Sequence, residues 1–509
     1  MKKLFILLSV LLVLGSACNK DFLNVDEKNP NAASSVPANL VLPAALNSFT
    51  AFYDQPDNYS FVYLWYGMWC IQNGYVQPSN LTGYNFLNTS YQNNWYYSYM
   101  VLQNLDYVEQ ASTAKKACNF RAISMIMKAL VYQNLVDSYG NVPYSEALRS
   151  SEGILKPKYD DQKAIYENLV VKLDTAMKLI ENAPVDADAV GASDIIYQGD
   201  MASWEKFANT IKLRILVNQS GMAGRATYIT TNLATTATVG YIGAGEGAAA
   251  NPGYSKSTNK MNPFYENFYK QDGSLQADAL GYFGAGQDAC NFLITNNDPR
   301  RLRFYSLPSS PATGANIKGN VFGALALITV PETSKLGPGI LGAYNTPAPI
   351  LTDFESLFLQ AEAVQRGLLT TGDAKALYES AVTRSVIYMG GTAADATTYL
   401  AQVGNQKTTW DAVPDAGKIE LIITQKWCAL NGISPMPIWT DYRRTGFPKG
   451  DIPTSISCVI HWTADPYRKS DAPPVRLLYP QTEISTNGDN VTLQGTISLT
   501  DSKIFWQNR

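Results

Sequence analysis

The feature that most restricts how this chain can fold is a succession of apolar residues at helical spacing, each run opening behind a capping residue. In "NFRAISMIMKALVYQNLVDSYG", Phe120, Ile123, Met127 and Leu130 fall on one helical face, and Gly140 with Pro143 beyond it marks the stop. In "DDQKAIYENLVVKLDTAMKLI", Ile165, Leu169, Leu173, Ala176 and Ile180 repeat the pattern behind Asp160 or Asp161. "DMASWEKFANTIKLRILVNQSG" places Trp204, Phe207, Ile211 and Ile215 between Asp200 as cap and Gly221 as stop. Thr352 and Glu355 have the spacing of a capping box, and Gly367 ends that helix. A second helix follows over Ala374 to about Tyr388, with Ala361, Ala363 and Ala381 as small residues at the contact. Such helix-turn-helix pairs are tetratricopeptide-like, without the full 34-residue pattern. The expected fold is mainly α, with a helical scaffold over about 40–220 and 350–445. Two stretches break the rhythm, 221–349 and 446–504, rich in Gly, Ser, Thr, Asn and Pro, with alternating runs such as "VTLQGTISL". They are expected to be loop-rich elaborations with short helices and hairpins, packed on a single domain spanning 18–509.

The first residues set the compartment. "MKKLFILLSVLLVLGSAC" has a basic start, an apolar run Leu4–Gly15 and then small residues. That run is shorter than the roughly 20 residues a membrane-spanning helix needs, so 1–17 reads as a signal peptide. Ser16-Ala17 before Cys18 resembles a bacterial lipoprotein cleavage site, which makes Cys18 the lipidated first residue of the mature chain. The remaining cysteines, 70, 118, 290, 428 and 458, form no C-x-x-C pair, so they read as buried free thiols.

Most catalytic readings fail. The chain has one histidine, His461, read as structural or at the surface; no G-x-S-x-G elbow accompanies it. "GAGEGA" (Gly243–Ala248) formally fits a dinucleotide fingerprint but runs into Pro252 rather than a helix. "DADAVG" (Asp186–Gly191) starts like a calcium loop, yet Val190 and Tyr197 stand where oxygen ligands are required. The net charge of −3, with no basic run, argues against nucleic acid. No cofactor or metal is implied. A helical glycoside hydrolase stays open as an alternative, because nothing selects two of the 43 acidic residues.

What stands out instead is a density of rings. Tyr59–Tyr99 holds 14 aromatic residues in 41, against 11% for the chain. A sugar ring has an apolar C–H face and polar edges, so Trp and Tyr suit its face while Asn, Gln and Arg suit its hydroxyls. "SNLTGYNFLNTSYQNNWYYSY" supplies both kinds, although Trp95, Tyr99, Leu102 and Leu105 also have the partly helical spacing of a core face.

Taken in order, these segments resemble the SusD/RagB family of outer-membrane lipoproteins from Bacteroidetes. "KDFLNVDEKNP" after Cys18, "WYYSYMVLQNLD", "RAISMIMKALVYQNLVDSYGNVPYSEAL" and "IYQGDMASWEKFANTIKLRI" carry the likeness in the first half. "NDPR" (Asn297–Arg300), "ILTDFESLFLQAEAVQRG", "IITQKWCALNG", "WTDYRRTGFP" and "YPQTEISTNGDNV" carry it in the second. The resemblance implies a SusD-like fold on four tetratricopeptide-like helix pairs. It also implies a non-enzymatic nutrient-binding lipoprotein at the cell surface of the outer membrane. Such a protein captures oligosaccharide for a SusC-like, TonB-dependent β-barrel transporter; a peptide or other nutrient is the alternative ligand. From the first Trp segment it gives Trp95 as an aromatic platform, with Tyr84, Asn85, Tyr282 and Phe283 as further ligand-binding candidates from loop context. Arg443 and Arg444 of "DYRRTG" are expected to hold helices and loops together through Asp441 and nearby carboxylates.

The anchor reading has a direct test. Cys18→Ser should release a folded, soluble protein, because stable attachment needs two or more acyl chains. Fractionation of cells expressing the variant checks it; a protein still held in the membrane fraction like the wild type contradicts the lipoprotein assignment.

Overall fold

The computed structural model describes residues 36–53, 56–276, 279–310, 316–451 and 458–507. The signal segment and Cys18 lie outside them.

The long helices, in chain order, are α1 (Ala38–Tyr53), α2 (Pro56–Trp65), α3 (Asn93–Ala111), α4 (Cys118–Tyr139), α5 (Gln162–Glu181) and α6 (Met201–Asn218). After them come α7 (Gln287–Thr295), α8 (Asp353–Gln365), α9 (Ala374–Tyr388), α10 (Lys418–Ala429) and α11 (Pro435–Thr445). Each packs on its neighbour along the series α1, α3, α4, α5, α6, α8, and α8 then packs on both α9 and α10. At the middle lies α4, in which only Asn119 and Arg121 escape burial. A helix without a solvent face is a core helix, and the polar residues it buries, among them Lys128, Gln133 and Asp137, are paired with neighbouring elements.

Capping follows the local chemistry. Asp161, Asp200 and Asp373 accept hydrogen bonds from the first free N–H groups of α5, α6 and α9. Helix α6 ends at Asn218, three residues before Gly221, the expected stop. The box at Thr352 is only half formed. Its hydroxyl accepts from the Glu355 N–H, but the Glu355 carboxylate is drawn away by Arg214 at 3.1 Å. A buried guanidinium competes better for a carboxylate than a single peptide N–H does. Gly140 closes α4 at φ +76, and a Cβ there would sit 3.2 Å from the Arg476 guanidinium.

The β structure is small and serves the loops. Strands β1 (Trp69–Ile71) and β5 (Phe283–Ala285) pair antiparallel, with Cys70 opposite Gly284. Three other two-stranded ladders join β2 (Val142–Pro143) to β3 (Tyr159–Asp160), β4 (Ala248–Ala250) to β6 (Ala348–Leu351), and β7 (Gly450–Asp451) to β8 (Ile460–His461). The alternating run "VTLQGTISL" is not a strand. It begins as the last turn of a short helix, Gly488–Thr492, and continues as loop. Alternation becomes a strand only where a neighbouring segment takes its peptide groups; here Leu499 O accepts from Val475 N, while Val491, Thr492 and Ser498 O accept from residues three or four along the same stretch. Cys70, Cys118, Cys290 and Cys428 are buried thiols, and burial pushes Cys70 up to about 12, so it stays protonated and unreactive.

The helices are locked by buried charge. Arg444 grips Glu362 with both terminal nitrogens at 2.5 Å and also meets Asp441 at 2.6 Å; Lys426 reaches Asp441 at 3.0 Å. One cluster thus ties α8, α10 and α11. Arg443 stacks on Trp439 at 3.9 Å and donates to the carbonyls of Asp137 and Val475. The arginine pair is structural, as expected, but Arg443 works through carbonyls rather than carboxylates. Burial pushes the Glu362 carboxyl up, yet the Arg444 and Arg366 guanidiniums outweigh it and hold it well below the usual carboxylate range. Its stabilising effect is present above about pH 4.5 and is lost as pH falls through the lowered value. Glu362→Gln should therefore cost about 3–5 kcal/mol, the usual result of stranding a buried cation. Urea unfolding followed by circular dichroism checks this, and between pH 5 and 3 the variant should lose less stability than the wild type does.

Candidate functional site

The loop between α2 and α3 is where the rings, the short ladders and the exposed surface come together. Its start depends on Gly67, at φ +68, where a Cβ would lie 2.3 Å from the Asp288 carboxylate. Asp288 sits in the first turn of α7, a favourable place for a negative charge. It accepts from the His461 N–H at 2.7 Å and faces His461 Nδ1 at 2.6 Å. The single histidine is therefore a tie between β8 and α7, in keeping with a structural role.

From β1 onward the loop is fastened at every turn. Gln72 donates to Phe283 O and accepts from Thr333; Asn73 donates to Leu327 O at 3.1 Å. Gln77 donates to Ala324 O and accepts from Gly323 N. Thr82 bonds Asp465 at 2.6 Å, and Lys469 N donates to Gly83 O. Segments 72–84, 282–285, 320–334 and 463–469 thus form one surface, although hundreds of residues separate them in sequence.

Large side chains protrude from this surface: Val76 is 85% exposed, Leu325 81% and Tyr467 79%. Tyr75 and Tyr282, both half-buried, meet edge to face with centroids 5.6 Å apart. Beside them opens a cleft of about 320 Å³ lined by Asn80, Leu81, Ser90, Tyr91, Tyr282 and Phe283. No charged side chain lines it. A larger cleft of about 570 Å³ is lined by Gln287, Asn291, Phe292, Asn320, Lys407 and His461 among others, with Asp288 its one carboxylate. Among the described residues no cluster of three His, Cys, Asp or Glu could hold a metal ion.

The five expected ligand residues are not all in one place. Tyr282 and Phe283 line the smaller cleft together. Asn85 is exposed in the same loop. Tyr84, 1% exposed, is set edge to face against Trp65, and its hydroxyl accepts from the Thr463 N–H at 3.1 Å. Trp95, 7% exposed, is ringed by Tyr99, Tyr139, Tyr159 and Tyr479, apart from the cleft. In "NNWYYSYM" it is Tyr96 and Tyr97 that face solvent. Sequence reasoning passed over Tyr75, Gln77 and Tyr467. Tyr75 had a signal, since it follows Asn73-Gly74 inside the ring-dense tract; Tyr467 had none.

Burial predicts how Tyr84 behaves. Tyr84→Phe leaves the Thr463 N–H without its acceptor and should lower stability by about 1–3 kcal/mol. Thermal unfolding checks it, with ligand affinity expected to stay within twofold of the wild type.

The chain matches the family model SusD-like_2, described as "Starch-binding associating with outer membrane", over residues 30–480. No curated protein matches it in sequence. Among solved structures, a chitin-binding protein superposes with a TM-score of 0.72 at 22% identity, covering 93% of this chain and 100% of its own. A SusD-like protein from Bacteroides thetaiotaomicron gives 0.72 at 23% identity, covering 93% and 99%. A chitin-binding SusD homologue from Flavobacterium johnsoniae gives 0.73 at 20% identity, covering 91% and 98%. These likenesses establish the mainly helical SusD-like fold. No described helix is long and apolar enough to cross a membrane. With the family match running through nearly the whole described chain, the protein belongs to the SusD/RagB family of nutrient-binding proteins that associate with the outer membrane.

Proposed function

We propose that this protein is a lipid-anchored receptor at the cell surface that captures an oligosaccharide and passes it to a SusC-like, TonB-dependent β-barrel. The observation that carries the reading is the uncharged cleft beside the Tyr75–Tyr282 pair, held open by loops that are hydrogen-bonded at every turn. Rings offer a flat face to a pyranose, while Asn80 and Ser90 offer groups of the right kind for its hydroxyls. Tyr282 and Tyr75 are the platform, Phe283 is the floor, and Asn85 stands at the rim. Trp95 and Tyr84 support the loops from behind. The chitin-binding relatives favour a glycan. A peptide site would want a charged end, and none lines this cleft. A hydrolase would need two carboxylates roughly 5–10 Å apart. No acidic residue lines the smaller cleft, and Asp288 alone lines the larger, so the reading is of binding without catalysis.

Calorimetry against malto- and chito-oligosaccharides tests it. Each ring contact contributes about 0.5–1.5 kcal/mol beyond area burial. Tyr282→Ala and Tyr75→Ala should each weaken binding by about two- to tenfold while the protein stays folded. Affinities unchanged in both variants would remove the cleft from the binding site. The transporter half has its own readout: the tagged protein should co-purify with a large β-barrel from outer membranes in mild detergent, and recovery alone would refute the partnership.

A further inference from the structure

A further cavity, of about 260 Å³, adjoins α2, whose Ser60 lines both it and the smaller cleft. Its walls include Tyr53, Phe264, Tyr388 and the prolines Pro338, Pro347 and Pro349. Its one charged lining residue is Arg303; no Asp or Glu lines it.

That cation differs from the others turned inward in this acidic protein. Lys128, Lys212, Arg214, Arg300, Lys426 and Arg444 all have carboxylates within 3.1 Å. Arg443 and Arg476 spend their nitrogens on backbone carbonyls. Half-buried Arg303 donates through Nε to the Met389 carbonyl, just past the end of α9, which fixes the plane of its guanidinium. Its two terminal nitrogens have no partner among the described residues. Gly390 makes room for them: a Cβ there would lie 2.8 Å from one of the two. A guanidinium held in place, with its outer pair of donors open to an anion-free cavity, is a two-pronged receptor for a carboxylate. The rings and prolines around it suit the apolar face of a single ring. The volume of about 260 Å³ has room for a single ring.

We infer that the Arg303 cavity is a subsite for a carboxylate-bearing sugar, a uronic-acid residue whose carboxylate meets Arg303 end-on and whose ring lies among Tyr53, Phe264 and Tyr388. The need for a carboxylate stands on the cavity alone; that the ring is a sugar rests on the proposed function.

The test uses the mature protein in mild detergent, titrated with D-glucuronate, D-galacturonate, the neutral methyl β-D-glucopyranoside and N-acetyl-L-phenylalanine, with binding read by saturation-transfer NMR and calorimetry. One or both uronates should bind at least about tenfold more tightly than the neutral glucoside, the gain expected of a charge-assisted pair. Arg303→Gln should abolish that preference, and Arg303→Lys, which keeps the charge but loses the fork, should recover only part of it. Tyr388→Ala, a truncation of an exposed wall, should weaken the uronates without removing their preference over the glucoside. Raising NaCl from about 50 to 500 mM should weaken uronate binding in the wild type, an arm that needs no variant. Failure of both uronates to bind, equal binding of the neutral glucoside, or a preference that survives in Arg303→Gln would overturn the inference. N-acetyl-L-phenylalanine binding as tightly as the uronates would overturn the sugar assignment. Loss of neutral oligosaccharide binding at the Tyr75–Tyr282 cleft is a separate outcome, which strikes the proposed function and leaves the carboxylate site standing.

Discussion

Two adjacent arginines near the end of α11 tie it to three other helices, α4, α8 and α10, and to the C-terminal stretch. Arg444 turns toward Glu362 and Asp441 and so joins the α8 and α10 layers. Arg443 turns toward the carbonyls of Asp137 and Val475, joining α4 to the C-terminal stretch, with Trp439 on one side and Trp506 on the other. Asp137 itself is shared: its carboxylate takes the Tyr166 hydroxyl and the Trp506 indole N–H. Burial pushes its carboxyl up to about 6 in spite of these donors and Arg443. Between pH 3.8 and about 6 this one group favours the folded state less as pH rises, opposite in sign to Glu362. Buried charge of this kind is an expensive way to gain stability; what it supplies here is register, because each donor accepts only one arrangement of helices.

The loops inherit that register. Gly67, Asp288 and His461 form a joint at the start of β1, the point where the helical scaffold hands the chain to the loop-rich surface. A larger residue at 67 would displace the Asp288 carboxylate and with it the β8 strand. Strands of two or three residues have little stability of their own. They hold because helix ends already place their partners, so Cys70 meets Gly284 without either segment needing strong strand propensity.

Much of the scaffold was legible because helices announce themselves locally. Asp161 and Asp200 cap the helices that follow them, and the second helix of the pair runs over Ala374–Tyr388 as expected. The half-formed box at Thr352 was not legible, since the rival for Glu355 lies 141 residues away on Arg214. The site was less legible for the same reason. β1 and β5 are too short to show alternation, and their pairing joins segments more than 200 residues apart. Ring density located the region but not the roles. In so dense a tract, spacing does not separate Trp95, caged by four tyrosines, from Tyr75, which stands half-open beside Tyr282. A tyrosine's polar tip suits both places: Tyr84 spends its hydroxyl on Thr463 N, and Tyr99 on Pro143 O.

The same fastening bears on how such a surface can bind. An exposed ring on a mobile loop loses about 0.5–1.5 kcal/mol of freedom when a ligand fixes it, which is as much as the ring contact returns. Tyr75 has little of that freedom left to lose. Its hydroxyl lies against Gly281, where a Cβ would be only 2.1 Å away, and its ring is set against Tyr282 at 85°. Preorganised rings keep most of their contact energy, yet two or three of them supply only about 1–4.5 kcal/mol, at most the level of millimolar binding. Weak capture of that size is workable for a receptor tethered beside a transporter, because tethering makes the second step effectively intramolecular. It also lets the ligand leave. A neutral cleft built of rings gives selectivity for shape with fast release, while the buried ion pairs that lock α8, α10 and α11 keep the scaffold behind it in register.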